Sequence, residues 1–334
     1  MTARSEPGPR AARWTAAAAG GCGAVLLVIS LAGTLRAFPG PAALAAAVQV
    51  PALAAGLVLA RWLHPVRSPP VSWSAAALAW GMTAAAGCAV LADRGLAAVW
   101  ARSAGPAFAS HWSAALSAPL NEEVLMASGV ALIAVMAPLA VRDALDGMIY
   151  GALIGLGFQA VANMTQGIAA ILGTGATDPV RAALQPALFR AGLTVAGPHW
   201  ATAAVAGAGI GCLAARGLRG AVPACALLGT AIAIHLAADL PGPAAVAKAL
   251  VSLAAVAAVY LIVRHSYLAR IRNVLDARTA FGMNRERDTA RLMTRRGRRR
   301  ARRQLPPGPQ RDQLAQRQQA MLSAIEDQAA GLAG

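Results

Sequence analysis

Eight runs of roughly 20 predominantly apolar residues divide this 334-residue chain, and that repeat limits its fold more than any other feature. The runs are 15–35, 42–60, 72–92, 119–138, 146–165, 191–214, 222–240 and 243–263. Each is long enough, at ~1.5 Å per residue, to cross or nearly cross a hydrocarbon core of ~30 Å. Lipid offers no hydrogen bonds to a backbone, so a spanning segment must satisfy its own. The expected fold is therefore all-α, a polytopic transmembrane bundle of about eight helices. Proline and glycine mark the joints, at Pro39-Gly40-Pro41, His64-Pro65, Pro69-Pro70, Asp178-Pro179 and Pro241-Gly242-Pro243. Composition agrees, since 57% hydrophobic and 13% charged residues exclude a soluble surface of this size.

The charge is uneven. Thirty Lys and Arg stand against 14 acids, for a formal net charge of +16, and residues 264–334 hold sixteen Arg against six acids. Arginine excess marks the cytoplasmic side of a membrane protein. With the N-terminus inside, Arg4, Arg10, Arg13, Arg61, Arg67, Arg142, Arg216, Arg219 and the tail share one side, and Arg36, Arg94, Arg102, Arg181 and Arg190 the other. The expected location is the plasma membrane, multi-pass, with both termini cytoplasmic. The run after Arg13 is long enough to span and reads as a first helix rather than a cleaved leader. It follows a cytoplasmic segment over 1–14, and accessory helices and an outer loop fill the rest of 15–118. The last span falls in 241–263. The tail, 264–334, is expected to be partly helical or disordered. Its arginines suit anionic lipid headgroups at about 1 kcal/mol per charge near the surface. They carry no interleaved aromatics and no DNA-binding motif, so no specific nucleic acid partner is expected. Cys22, Cys88, Cys212 and Cys225 lie singly in apolar runs and read as small buried thiols, not as a disulfide framework or zinc finger.

Ionisable groups inside spans carry the chemistry, because each costs roughly 2.5–3.5 kcal/mol at a helix centre. Two of the five glutamates, Glu122 and Glu123, open the fourth run. His199 and His235 lie in the sixth and seventh, Asn163 near the end of the fifth, and Asp239 one turn after His235. Alternating helix directions bring Glu122, Asn163, His199 and His235 within roughly 15 Å of the outer interface. A glutamate can take a proton from attacking water, and imidazoles can hold a metal ion or a developing oxyanion. Taken singly, each of these residues has an ordinary packing or headgroup role. Their coincidence at one depth points to a site, which either catalysis or transport would produce. Gly147, Gly151 and Gly155, with Gly207 and Gly211, predict close helix contacts.

The sequence Glu122-Glu123, then Asp146-Gly147-Met148-Ile149-Tyr150-Gly151, Gly155-Leu156-Gly157-Phe158, Asn163, Arg190, Pro198-His199-Trp200-Ala201-Thr202 and His235-Leu236-Ala237-Ala238-Asp239 resembles the PrsW family of intramembrane proteases. That family is similar to the CAAX-processing and bacteriocin-immunity membrane proteases. The resemblance covers 119–240 and implies that this stretch is a catalytic core that clips a membrane-anchored protein, such as an anti-sigma factor, on its extracytoplasmic side. It implies catalytic roles for Glu122, Glu123, His199, His235, Asn163 and Asp239, and a metal, with zinc the candidate, on His199, His235 and Glu123. Ala162 stands where the family has Glu, and Met126 where a basic residue is expected; joint loss of an ion pair in low dielectric is nearly neutral. The rival expectations are a catalytically degenerate member acting as a membrane scaffold, and a small transporter.

Overall fold

The computed structural model describes residues 7–193, 198–240, 245–280 and 294–329. Arg4, the joint 241–243 and the side chain of Arg190 lie outside the described residues. Among the described residues every regular element is helical: α1 (Pro7–Ala37), α2 (Pro39–Ala47), α3 (Gln49–Leu63), α4 (Val71–Trp80), α5 (Ala86–Ser103), α6 (Pro106–Met136), α7 (Ala144–Gly173), α8 (Pro179–Leu193), α9 (Pro198–Arg216), α10 (Ala221–Asp239), α11 (Ala245–Ala280), α12 (Arg295–Arg303) and α13 (Pro309–Ala329). A π-helical turn, Gly81–Ala85, joins α4 to α5 without ending the span.

Among the described residues seven stretches are long and apolar enough to cross a membrane. The sixth, His199–Asp239, has 41 residues, about twice the length a bilayer needs. It is two spans. The chain reverses through a 3₁₀ turn at Gly217–Gly220, where Gly217 takes a φ of 56° that side chains resist. Helices α9 and α10 then run antiparallel, with Gly209 against Ala224 and Gly220 against Cys212. The protein is thus a multi-pass helical membrane bundle, and once His199–Asp239 is divided at its turn the described residues offer eight segments of roughly spanning length.

Several boundaries differ from the apolar runs. The third span continues to Ser103, past Asp93 and Arg94, because both charges are partnered: Asn121 donates to Asp93 at 3.1 Å and Arg94 to Ser30 at 3.5 Å. The fourth starts at Pro106, and Pro119 lies inside it. Helix α8 was not expected at all. The cysteines are free, but only Cys212 is buried, and Cys22 and Cys225 lie on the outward surface of the bundle.

Helix α7 is the axis of the bundle. Its apolar window is 89% buried, against 6% for the first span and 11% for the last. Glycine makes its contact with α9 close: a Cβ at Gly151 would overlap the carbonyl oxygen of Ala203, and one at Gly155 that of His199. Such approach supplies the dispersion contact that association in lipid depends on. Met126, 1% exposed, is part of the large apolar core, and Ala162 is partly buried against that core.

At the end of α7 that begins with Ala144, a second polar cluster holds the tail. Asp143 caps the helix, accepting from Leu145 N and Asp146 N at 2.8 and 3.1 Å, and pairs with Arg270 at 3.1 Å. Arg67 pairs with Asp146 and, at 3.4 Å, with Glu326 of α13. Tyr267 and Arg142 donate to Glu326 at 2.7 and 3.0 Å, while Leu322 and Ile325 join the core beside Tyr267 and Ile271. Helix α13 is therefore packed onto the bundle.

Candidate active site

Four helices build the site from polar residues that lipid alone would disfavour. Helix α6 brings Glu122 and Glu123, one turn after Pro119, whose ring removes a backbone donor. Helix α9 begins with Pro198, a residue suited to the first helical position, so His199 sits in the first turn, where backbone N–H groups lack helical acceptors. Gln159 of α7 fills that need, accepting from His199 N at 3.3 Å. Gln159 also donates to Asn163 at 2.9 Å, and Asn163 donates to Gln49 of α3 at 3.0 Å. This buried amide chain ties the start of α9 to α7 and α3. Helix α10 supplies His235, 0% exposed, near its last turn.

The side chains converge. Glu122 Oε2 lies 3.2 Å from His199 Nδ1 and 3.6 Å from His235 Nε2, and each of the three residues offers one ligand atom within 4.8 Å of those of the other two. The imidazole rings meet edge to face, 4.9 Å between centroids, and the ring of Phe158 packs 5.0 Å from that of His199. On the other edge of His235, Nδ1 is 2.9 Å from Glu123 Oε1. A carboxylate only accepts, so this contact places the ring proton on Nδ1 and aims the Nε2 lone pair at Glu122 and His199.

The donor set fits a divalent metal. Bonds of about 2.0–2.2 Å to a tetrahedral centre separate ligand atoms by about 3.3–3.6 Å, and the Glu122–His distances of 3.2 and 3.6 Å bracket that range closely. His235 Nε2 is buried and makes no hydrogen bond to the described residues. Two imidazoles and one carboxylate, with a fourth position open, is a catalytic zinc pattern. A carboxylate on the remote nitrogen of a ligand histidine is the outer support such sites carry.

The family model for PrsW family intramembrane metalloproteases matches residues 69–264. The chain belongs to that family. No curated protein and no solved structure matches it. The match begins well before residue 119 and extends beyond 240, so this PrsW-family protease has a larger family region than its motifs delimit, and α4, α5 and the first half of α11 fall within it.

Sequence reasoning puts Glu123 with the two histidines, whereas the structure brings Glu122 there. Adjacent residues on a helix project about 100° apart, and the packing of α6 turns Glu123, 0% exposed, behind His235. Asn163 is linked to His199 through Gln159, which bonds to both. Asp239 stands at the rim, Oδ2 3.5 Å from His235 Nε2, with its side chain 27% exposed. Three neighbours of this PrsW-type site were missed: Asp93, Gln159 and Gln49. Asp93 carried a usable signal as the only acid between 71 and 103, but it reads as the end of a span. The glutamines carried no such signal, because an uncharged amide costs less to bury than an acid.

Proposed function

We propose that this PrsW-family protease hydrolyses a peptide bond of a membrane-anchored protein near the extracytoplasmic face, with Glu122, His199 and His235 holding a divalent metal. The observation that carries this reading is the approach of one carboxylate oxygen to both imidazoles, at 3.2 and 3.6 Å. When bound, the metal supplies Lewis-acid activation of water and of the scissile carbonyl. Glu123 holds His235 in the tautomer that leaves Nε2 free for the metal side. Asp239, nearest to that nitrogen among the partly exposed carboxylates, takes the proton from the attacking water and returns it to the leaving amine. Phe158 and the packed glycine faces of α7 and α9 limit the entry of other water.

The side of cleavage rests on arginine distribution. The joints and tail that share a side with Arg67 and Arg142 hold most of the arginines, which supports the reading of that side as cytoplasmic, with both termini inside; the proposed location is the plasma membrane. His199, at the start of α9, and His235, near the end of α10, then lie toward the opposite face. A single-span regulatory protein of the anti-sigma-factor type is the proposed substrate, and zinc the proposed metal. Anionic lipid is the proposed surface for the tail.

Transport is disfavoured by what separates the two polar levels. Along α7, Asp146 and Asn163 are ~25 Å apart, and Leu153, Ile154 and Leu156 lie buried between them. The test is turnover. Purified protein in detergent should cleave a membrane-anchored reporter, and Glu122→Gln and His199→Ala should reduce cleavage to background with expression unchanged. Wild-type protein that binds the reporter and its metal but never cuts would make it a scaffold.

A further inference from the structure

Helix α12 is nine residues long and seven of them are arginine, yet it is folded against the bundle. It closes a cavity of about 500 Å³ together with α13 and the segment around Val66–Pro70. Five guanidinium groups line this space, from Arg67, Arg142, Arg298, Arg299 and Arg302, and Glu326 is the one acid among the lining residues. Arg67 and Arg142 share Glu326, at 3.4 and 3.0 Å, and reach Asp146 and Asp327 behind the wall. Arg298 is 8% exposed and donates to the carbonyl of Val66, which fixes α12 over the opening. Arg299 and Arg302 add two further charges, and neither has a carboxylate within ion-pair distance among the described residues.

Like charges gathered in a concave space repel unless an anion joins them, and the cavity walls focus their field. Guanidinium forks match the oxygen spacing of a phosphate and bind it bidentately, with charge-assisted hydrogen bonds. We propose that the cavity between α12, α13 and the Val66–Pro70 segment is a binding site for a phosphate group, carried either by an anionic lipid at the inner face or by a water-soluble phosphorylated compound. Its volume exceeds what one phosphate fills and leaves room for an attached glycerol or ribose-sized group.

This differs from diffuse attraction of a basic tail to lipid, and it does not depend on proteolysis. Arg296 and Arg300 belong to the same helix but do not line the cavity. Diffuse attraction depends on total charge, so losing either pair of arginines would weaken binding equally. A built site is sensitive only to the pair that faces it.

The experiment uses the full-length protein and its Arg299→Gln/Arg302→Gln and Arg296→Gln/Arg300→Gln variants. Inorganic pyrophosphate is titrated in neutral detergent by isothermal calorimetry. In parallel, retention of phosphatidic acid from mixed phosphatidylcholine nanodiscs is counted by native mass spectrometry. The expected result is saturable binding of one equivalent of at least one probe, weakened at least about tenfold by the first pair and less than about twofold by the second. Pyrophosphate binding identifies a soluble source, and retention of phosphatidic acid without pyrophosphate binding identifies a lipid headgroup. Equal losses in both variants, or no saturable binding of either probe, would overturn the proposal.

Discussion

Glu123 Oε1 lies 2.9 Å from His235 Nδ1, and both residues are 0% exposed. In a site this dry the contact sets which imidazole nitrogen carries the proton, and so which one faces Glu122. Glutamine at position 123 keeps an oxygen to accept from Nδ1 but loses the charge. Glu123→Gln should therefore fold normally and bind metal about 10–100-fold more weakly. Glu122→Gln removes a ligand outright and should leave less than about one-tenth of an equivalent bound. Metal content after dialysis, read by inductively coupled plasma mass spectrometry, checks both. Equal metal loss in the two variants would mean that Glu123 is also a ligand.

Gly155 connects packing to chemistry. A Cβ there would overlap the carbonyl oxygen of His199, whereas one at Gly229 meets nothing within 4 Å. Gly155→Ala should force α9 away from α7, at an overpacking cost of about 1–3 kcal/mol, and displace the imidazole it carries. The expected outcome is a lower thermal midpoint and weaker metal binding together, with Gly229→Ala close to wild type in both. Normal metal binding in a destabilised Gly155→Ala protein would separate the helix contact from the site.

The architecture was largely legible because lipid makes apolar length a direct signal. The α9–α10 hairpin shows this best: runs 191–214 and 222–240 read as two spans, and the turn at Gly217–Gly220 separates them. Boundaries failed where a charge or proline inside a helix was satisfied by a distant residue. Asp93 ends a span in the sequence, and Asn121 of α6 lets the helix continue in space. The convergence of Glu122, His199 and His235 was foreseeable from depth, but the division of roles between Glu122 and Glu123 was not, because it depends on the rotation of α6 about its axis. The docked tail was least legible of all. Its Gln-rich sequence has low hydropathy, and it is held by a few contacts, Ile325 and Glu326 among them, whose partners lie about 60 to 260 residues away.

The amide chain through α7 predicts unequal effects. Gln159 accepts directly from His199 N, while Asn163 acts one bond further away. Gln159→Met takes the Gln159 acceptor away from a buried backbone donor, at a cost of about 1–3 kcal/mol, in the turn that aims His199. Asn163→Ala removes a support but leaves that bond intact. Metal affinity measured by competition with a chromogenic chelator should fall by at least about tenfold for Gln159→Met and by less than about threefold for Asn163→Ala. The reverse order would place Asn163 in closer control of the imidazoles than the hydrogen bonds indicate.

Glu326 gives the tail a pH dependence opposite to that of an exposed ion pair. Burial pushes its carboxyl above the ordinary range, although Arg67, the hydroxyl of Tyr267 and Arg142 pull it down. An acid whose docked value exceeds its released value of about 4.3 binds its proton more tightly when docked. Docking of α13 therefore strengthens as pH falls through the interval between those two values, and weakens as pH rises through it. Hydrogen exchange over 309–329, corrected for intrinsic rates, should show greater protection in mild acid than at neutral pH. Glu326→Gln keeps an oxygen for Tyr267 without a titrating proton and should flatten the dependence. Loss of protection on acidification would instead make charge attraction to Arg67 and Arg142 the force that holds the helix in place.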